Sequence, residues 1–504
     1  AGTTVNYRVR ITDANGNGLW SLTSNTVTVG NGSPSAYANL VRSDGAQHLW
    51  RLGESSGTTA LDWASFDDLT MNGGYTRGAD GAIIGDDDKS TNFGGSDGFG
   101  ATSSPVDGPD VFSIETWFRT TTTNGGKIVG FGNANTGTSS NYDRHIYMEP
   151  NGKITFGVYN NGSYTTTSPT ALNDGQWHQA VGTMSPSGLV LYIDGKKVGT
   201  NGGTSIGQPY AGYWRVGGDS PWSGNAYFAG DIDDVAIYPT TVPLSMVQSH
   251  YTASGRTLNI PTRPTDSYGQ AVWDANPDLY WRLGDTDGTA KDASPNESNG
   301  TYQGGYTQGQ PGAFDGATNK AVAFGGGDGF VASNTMYSNP RIYSLEAWFK
   351  TSTTDGGKII GFGCSQTGTS GCYDRHIYIS NDGKLTFGVW TGFTNTITTD
   401  GAVNDGNWHH VVATQNTTEG MKLYLDGALV GTNPQTDAQA YDGYWRVGGD
   451  NHWGCCSPFL NGTIDETAVY SSVLSPATIA AHYQLGGGTL PNQAPTAAFT
   501  HTEN

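Results

Sequence analysis

Along most of this chain apolar and polar side chains exchange places at every second residue. In "FSIETWFR", Ile114, Thr116 and Phe118 alternate with Glu115, Trp117 and Arg119, and the same rhythm runs through "KITFGVY", "LVLYIDG" and "YWRVGG". A period of two is that of a strand whose two faces meet different surroundings. Asn-Gly and Asp-Gly pairs (Asn151-Gly152, Asp194-Gly195, Asp426-Gly427) punctuate these segments where tight hairpins are needed. Helical periodicity is clear only near the ends of the pattern, as in "LSPATIAAHY", where Ser475 can cap a short helix. The pattern predicts an all-β protein of antiparallel β-sandwich, jelly-roll type.

The pattern occurs twice. "LWRLGESSGTTALD" answers to "YWRLGDTDGTAKD", "FSIETWFRTTTTNGGKIVGFG" to "YSLEAWFKTSTTDGGKIIGFG", and "NDGQWHQAVGT" to "NDGNWHHVVAT". "GYWRVGGD" stands intact in both copies, and each closes on "GDIDDVAIY" or "GTIDETAVY" and a tail ending in His-Tyr. Units this long are domains and not solenoid repeats. They divide the chain into 1–30, a first copy at 35–251, a Thr/Ser/Pro-rich linker at 252–267, a second copy at 268–483, and 484–504.

Composition narrows the partners. Of 504 residues 75 are Gly, only 14% are charged, and aromatics reach 11%, which fits a folded chain rich in turns. A formal charge of -20 disfavours nucleic acid and anionic membranes. No stretch reaches the roughly 18 apolar residues of a membrane span. Carboxylates and Asn side chains in loops suit calcium instead.

The ordered set "WHHVVAT", "LYLDG", "IDE" and "HY", with "YWRLGD" ahead of it, resembles the laminin-G-like, concanavalin A-like jelly-roll domains of bacterial extracellular proteins. The resemblance covers almost all of both copies. It implies a binding or adhesion scaffold, often with calcium, related in fold to lectins and some glycan hydrolases. The opening "VNYRVRITDANGNGLWSLTSNTVTV" resembles the last strands of a fibronectin type III domain, and "NQAPTAAFTHTEN" the first strand of a PKD-type domain. A secreted or cell-surface bacterial protein of modular build is expected.

All four cysteines fall in the second copy: Cys364, Cys372, Cys455 and Cys456. Disulfides fit an exported chain better than zinc, since neither pair has Cys-x2-Cys spacing. Cys364 can face Cys372 across the base of the loop "SQTGTSG", leaving Cys455 with Cys456, or the pairs can cross; sequence does not choose. Asn133 and Asn141 stand at the matching positions of the first copy.

For catalysis the strands offer one acid each, Glu115 and Glu346, where glycan hydrolysis needs a pair. A lone strand Glu reads as a hydrogen-bonding residue, His178 and His409 as local packing, and no nucleophile elbow or phosphate loop is present. No enzyme activity is expected of this chain. The resemblance brings first and last strands together, so Asp62 with Asp233, and Asp292 with Asp465, are expected to share calcium; Asx turns are the alternative. "YDRH" occurs in both copies, giving Asp143, Arg144 and His145, then Asp374, Arg375 and His376. "YWRVGGDSPW" and "YWRVGGDNHW" add Arg215, Asp219 and Trp222, then Arg446, Asp450 and Trp453. Planar polar groups beside an aromatic face are the chemistry of a sugar site, and internal salt bridges bracing loops are the competing reading. The expected function is glycan or surface-polymer binding with structural calcium. Self-association in an adhesive or fibre-forming protein is the alternative, and glycan hydrolysis a further one.

Overall fold

The computed structural model describes residues 35–314, 319–454 and 457–490, with the backbone of four earlier strands. Those four pair antiparallel, Thr3–Tyr7 with Asn25–Val29 and Arg10–Thr12 with Gly18–Trp20. The flank expected to resemble a fibronectin type III domain is described only so far, and the segment from 491 onward, expected to open a PKD-type domain, lies outside the described residues, as do Cys455 and Cys456.

Each copy is a sandwich of two antiparallel sheets. In the first, Phe112–Arg119 lies between Trp177–Ser185 and Ala229–Tyr238 at the centre of one sheet. The facing sheet runs Ser163–Thr167, Ile154–Tyr159, Tyr142–Met148, Gly126–Gly132, Ala211–Val216 and Phe99–Ala101 in spatial order. Trp50, Phe112, Ile114, Phe118, Ile146, Phe156 and Trp214 pack between them. The second copy repeats this, with Tyr343–Lys350 between Trp408–Asn416 and Asn461–Tyr470, and Tyr373–Ile379 beside Lys384–Trp390 in the facing sheet. The hairpin turns follow their residues. Asp194 (φ 50°) and Gly195 (φ 76°) are both left-handed, the type I′ geometry that suits the strand twist.

Phe112–Phe118 is buried on both faces, although only one faces the sandwich core. Helices Ala36–Ser43 and Leu244–Ala253 cover the other side, where Tyr37, Val41, Trp117, Tyr238 and Val247 form a second apolar layer. Inside it lies the one acid of the strand. Glu115 is 0% exposed and accepts from Tyr37 Oη (2.9 Å), Gln179 Nε2 (2.8 Å), Tyr238 Oη (3.0 Å) and His250 Nδ1 (2.7 Å). Glu346 does the same with Tyr268, Tyr470, His410 and His482. Burial alone would raise the Glu115 pKa, but the His250 charge and these donors hold it below its ordinary value. Burial likewise disfavours charge on His250, yet Glu115 and Asp44 overcome it and push the imidazole up to about 9.

The copies touch. Lys196 Nζ reaches Glu297 at 2.6 Å, Lys197 pairs with Asp278, and Asn201 bridges Ser338 in parallel. A cavity of about 280 Å³ lies beside these contacts, lined in part by Leu172, Ile193, Val198 and Tyr337.

The loop base flagged by the cysteines is closed by a Cys364–Cys372 disulfide. In the first copy Asn133 does the same work without a covalent bond: its Oδ1 accepts from Ser140 N (3.0 Å) and Asn141 N (3.1 Å). The backbone bond across the base is conserved in length, 3.0 Å for both Asn133 N to Asn141 O and Cys364 N to Cys372 O.

Two expectations follow. Reduction should lower the melting temperature of the second sandwich and spare the first, by about 2–3 kcal/mol for a loop this short; calorimetry of reduced and oxidised protein checks this, and equal loss in both copies would contradict it. Because folding raises the His250 pKa from 6.5 to about 9, its stabilisation is complete below pH 6.5 and is lost as pH rises through about 9. The first sandwich should therefore melt progressively lower across that window, by on the order of 3 kcal/mol at most, and His250→Gln should flatten the slope.

Candidate functional site

One sheet of each sandwich lies under helices; the outer side of the other is itself buried along Gly126–Gly132 and 143–148 and reaches solvent through the rings that stand over it. Along Ile154–Tyr159, Ile154, Phe156 and Val158 point inward, so Thr155, Gly157 and Tyr159 face out. Gly157 has no side chain because Trp222 occupies the space: a Cβ there would meet the indole at 2.4 Å. Trp222 is half-buried, standing edge-on to His145 with ring centroids 4.4 Å apart and to Tyr147 at 6.4 Å. Trp453 stands identically on Gly388 (2.3 Å) beside His376 (4.4 Å), and Trp390 adds a second indole at 6.2 Å. Tyr142 and Tyr373 flank the histidines at 6.3 and 6.2 Å. Over buried histidines, each sheet thus carries a ledge of partly exposed rings, Trp222 with Tyr142 in one copy and Trp453 with Trp390 and Tyr373 in the other.

The polar groups expected to meet a ligand lie beneath that ledge, closed off from solvent. Asp143, Arg144, His145, Arg215 and Asp219 are all 0% exposed, as are Asp374, Arg375, His376, Arg446 and Asp450. Asp143 Oδ1 accepts from Arg144 (2.6 Å) and Tyr210 Oη (2.8 Å), and its Oδ2 from Tyr159 N and Gln208 N (both 3.2 Å). Arg144 donates onward to the carbonyls of Pro109 (2.8 Å) and Gln208 (3.0 Å). Asp374 and Arg375 repeat this with Tyr441, Pro340 and Gln439. The Asp–Arg unit therefore ties two loops to the strand, and a correction follows: these groups brace the face from inside and present nothing to a ligand. Arg144 (φ 43°) and Arg375 (φ 45°) hold a left-handed conformation that breaks the alternation of the strand. That is why polar side chains at a strand mouth turn inward.

Arg215 and Asp219 are braces too. Arg215 lies over the Phe99 ring at 4.2 Å and donates to the carbonyls of Ala134 and Gly137, while Asp219 accepts from Ser139 N (2.7 Å) and Ser220 N (2.8 Å). Arg446 and Asp450 hold Ser365, Ser370 and Asn451 in the second copy. Burial, with the Lys127 charge behind it, keeps His145 well below its ordinary pKa, hence neutral. Only Trp222 and Trp453 of the expected set reach solvent. The platforms Gly157 and Gly388 went unnoticed in the sequence; their signal is a glycine inside the strands "TFGVY" and "TFGVW".

The expected metal ligands have different hydrogen-bond partners. Asp62 accepts from His48 Nδ1 (2.7 Å), Leu49 N (3.0 Å), Ala64 N (2.9 Å) and Ser65 N (3.0 Å), and Asp292 from Tyr280 N (2.7 Å), Ser294 N (2.8 Å) and Ser298 N (2.6 Å). Both are turn caps saturated by donors. Asp233 lies instead with Asp88 and Asp234, and Asp465 accepts from Ala313 N (2.8 Å) and the Asn319 amide (3.0 Å).

The family comparison agrees with the architecture. Residues 93–248 and 324–480 match the family described as the concanavalin A-like lectin/glucanases superfamily. No curated protein matches the chain. Among solved structures, the receptor-binding domain of botulinum neurotoxin D is 17% identical over 42% of this chain, which spans about half (53%) of that domain, at TM-score 0.31. Domain 4 of the Geobacillus stearothermophilus arabinanase AbnA, solved with arabinotriose, is 20% identical over 42% of this chain and 98% of its own, at TM-score 0.30. Domains LG4-5 of the mouse laminin alpha1 chain are 15% identical over 78% of this chain and 88% of theirs, at TM-score 0.24. With the two-sheet sandwich built twice and the family match falling on the greater part of each copy, this chain belongs to the concanavalin A-like lectin/glucanases superfamily.

Proposed function

We propose that the chain is a non-catalytic binding unit for a glycan or other surface polymer at the cell exterior, with one contact ledge on the helix-free sheet of each copy. The observation that carries the reading is the partly exposed indole of Trp222, and of Trp453, fixed on a strand glycine against a neutral buried histidine. A ring so held loses little freedom on binding and offers an apolar surface to the C–H side of a sugar. The braces beneath explain the rigidity: Asp143 and Arg144 fix the strand that carries His145. Glu115 and Glu346 support the non-catalytic reading, since each is 0% exposed under helices and fully occupied by donors.

The test separates ledge from brace. Trp222→Ala and Trp453→Ala should each weaken retention on the bound polysaccharide about tenfold, the loss of roughly 1.4 kcal/mol of ring contact, and the double variant should abolish it. Parent-like retention by the double variant across a polysaccharide panel sinks the proposal, as does turnover of any member. Arg144→Met leaves Asp143 as an uncompensated buried charge and should cost about 3–5 kcal/mol of stability, read as a lower melting temperature of the first sandwich. A variant that melts like the parent would show that the brace is dispensable.

A further inference from the structure

The contact that joins the two copies uses a different surface of each. The first copy gives the hairpin that follows Asp194-Gly195, and the second gives the turn at 292–298 together with Asp278. Lys196 Nζ pairs with Glu297 at 2.6 Å, Lys197 N donates to Asn296 Oδ1 at 3.2 Å, and Lys197 Nζ pairs with Asp278. Because the copies are duplicates, each also owns the surface that the other uses here. One turn surface, on the first copy, and one hairpin, on the second, are thus left over.

Indole and backbone hydrogen bonds fix which positions correspond. Trp50 Nε1 donates to Asp67 O (3.0 Å) as Trp281 Nε1 does to Ser298 O (2.9 Å), so Phe66 stands in the place of Glu297. Gln47 N donates to Ile237 O as Asp278 N does to Val469 O, both at 2.7 Å, which sets Gln47 in the place of Asp278. Across the hairpins Ile193 pairs with Lys196 and Leu425 with Ala428, so Ala428 and Leu429 replace Lys196 and Lys197. Val106, opposite Gly212, matches Tyr337, opposite Gly443.

All four charges of the inner contact are therefore missing from the left-over surfaces, and from both sides together. Loss on one side alone would leave a charge without its partner; loss on both leaves two neutral surfaces that still match. What replaces the charges is largely apolar. Phe66 is 103% exposed and Leu429 53%, and the turn adds Leu61 (50%) and Trp63 (40%). Val106 is 37% exposed, whereas Tyr337 in its place at the inner contact is 7% exposed. Apolar side chains gathered on one surface mark a contact site in a way that scattered ones do not.

We propose that molecules of this chain join head to tail, the hairpin at Ala428 and Leu429 of one taking the turn at Phe66 of the next, as Lys196 and Lys197 take Glu297 and Asp278 within the chain. Such a contact is heterologous: every molecule that joins presents a free surface to another, so assembly runs past the dimer. Salt should strengthen it, because the contact is apolar and screening relieves the repulsion between molecules of charge -20. It is independent of the ring ledges.

Sedimentation equilibrium of the full chain over roughly 1 µM to 1 mM, the range of weak reversible contacts, should show a mean mass that rises with concentration and passes that of a dimer. The rise should be steeper at about 1 M salt than at about 0.1 M. Phe66→Glu and Leu429→Glu each spoil one surface, and each variant alone should associate about tenfold more weakly or worse while melting like the parent. Mixed in equal amounts they should form dimers and stop there, since one keeps the hairpin and the other the turn. A parent that stays monomeric overturns the proposal and leaves the two surfaces to another occupant, a flanking segment of the same chain or a foreign protein. A single variant that assembles like the parent overturns it too, as does a mixture that yields no dimers or grows beyond them.

Discussion

A carboxylate buried in the second apolar layer fixes how each sandwich is assembled. Taking Glu115 out of water is expensive, and the cost is offset only when charge and hydrogen bonds are both met. Its partners come from four places: the helix at Ala36–Ser43 (Tyr37), the neighbouring strands (Gln179 and Tyr238) and the closing helix (His250). Meeting all four groups ties the two helices to that sheet through one buried carboxylate. The His of the terminal His-Tyr is thus the anchor, and the Tyr stacks behind it, Tyr251 on Trp117 at 5.9 Å and Tyr483 on Trp348 likewise. Because that sheet is covered, it is the other sheet that carries the exposed rings.

Comparing the copies separates what geometry requires from what chemistry can vary. The indole ledge needs a missing Cβ at 157 and 388, and both positions are Gly. The Asp–Arg brace needs a left-handed Arg and recurs with the same partners. Closing a loop base needs only a crosslink of some kind, so an Asn side chain serves in one copy and a disulfide in the other.

The strands, their duplication and the hairpin positions were legible because period two, self-similarity and Asp-Gly turns are local signals. The capped closing helix was legible for the same reason: Ser475 Oγ accepts from Thr478 N at 3.0 Å, with Pro476 in the first turn. Lone Glu115 read correctly as a hydrogen-bonding residue. The place of Asp143 and Arg144 was not legible, since a strand pattern assumes unbroken alternation and the left-handed residue violates it. Nor could sequence show that Asp62 is occupied by its own turn and by His48 and Leu49 of the neighbouring strand, because an Asx cap and a calcium ligand share one composition.

The tandem arrangement bears on how weak ledges can serve a binding protein. A single ring contact of about 1 kcal/mol retains nothing useful by itself. Two ledges joined by a flexible tether would gain modestly, because the effective concentration falls as the tether samples more volume. Here Arg256, in the linker, lies over Trp117 at 4.5 Å, and Lys196 and Lys197 tie the first sandwich to Glu297 and Asp278 of the second. Such contacts restrict the spacing of the ledges, so the second encounter is close to intramolecular only for ligands that repeat along a chain. On the proposed reading, selection then acts on polymer length and not on the terminal sugar, and differences between the ledges, Trp390 in one and Tyr159 in the other, adjust strength without changing that rule.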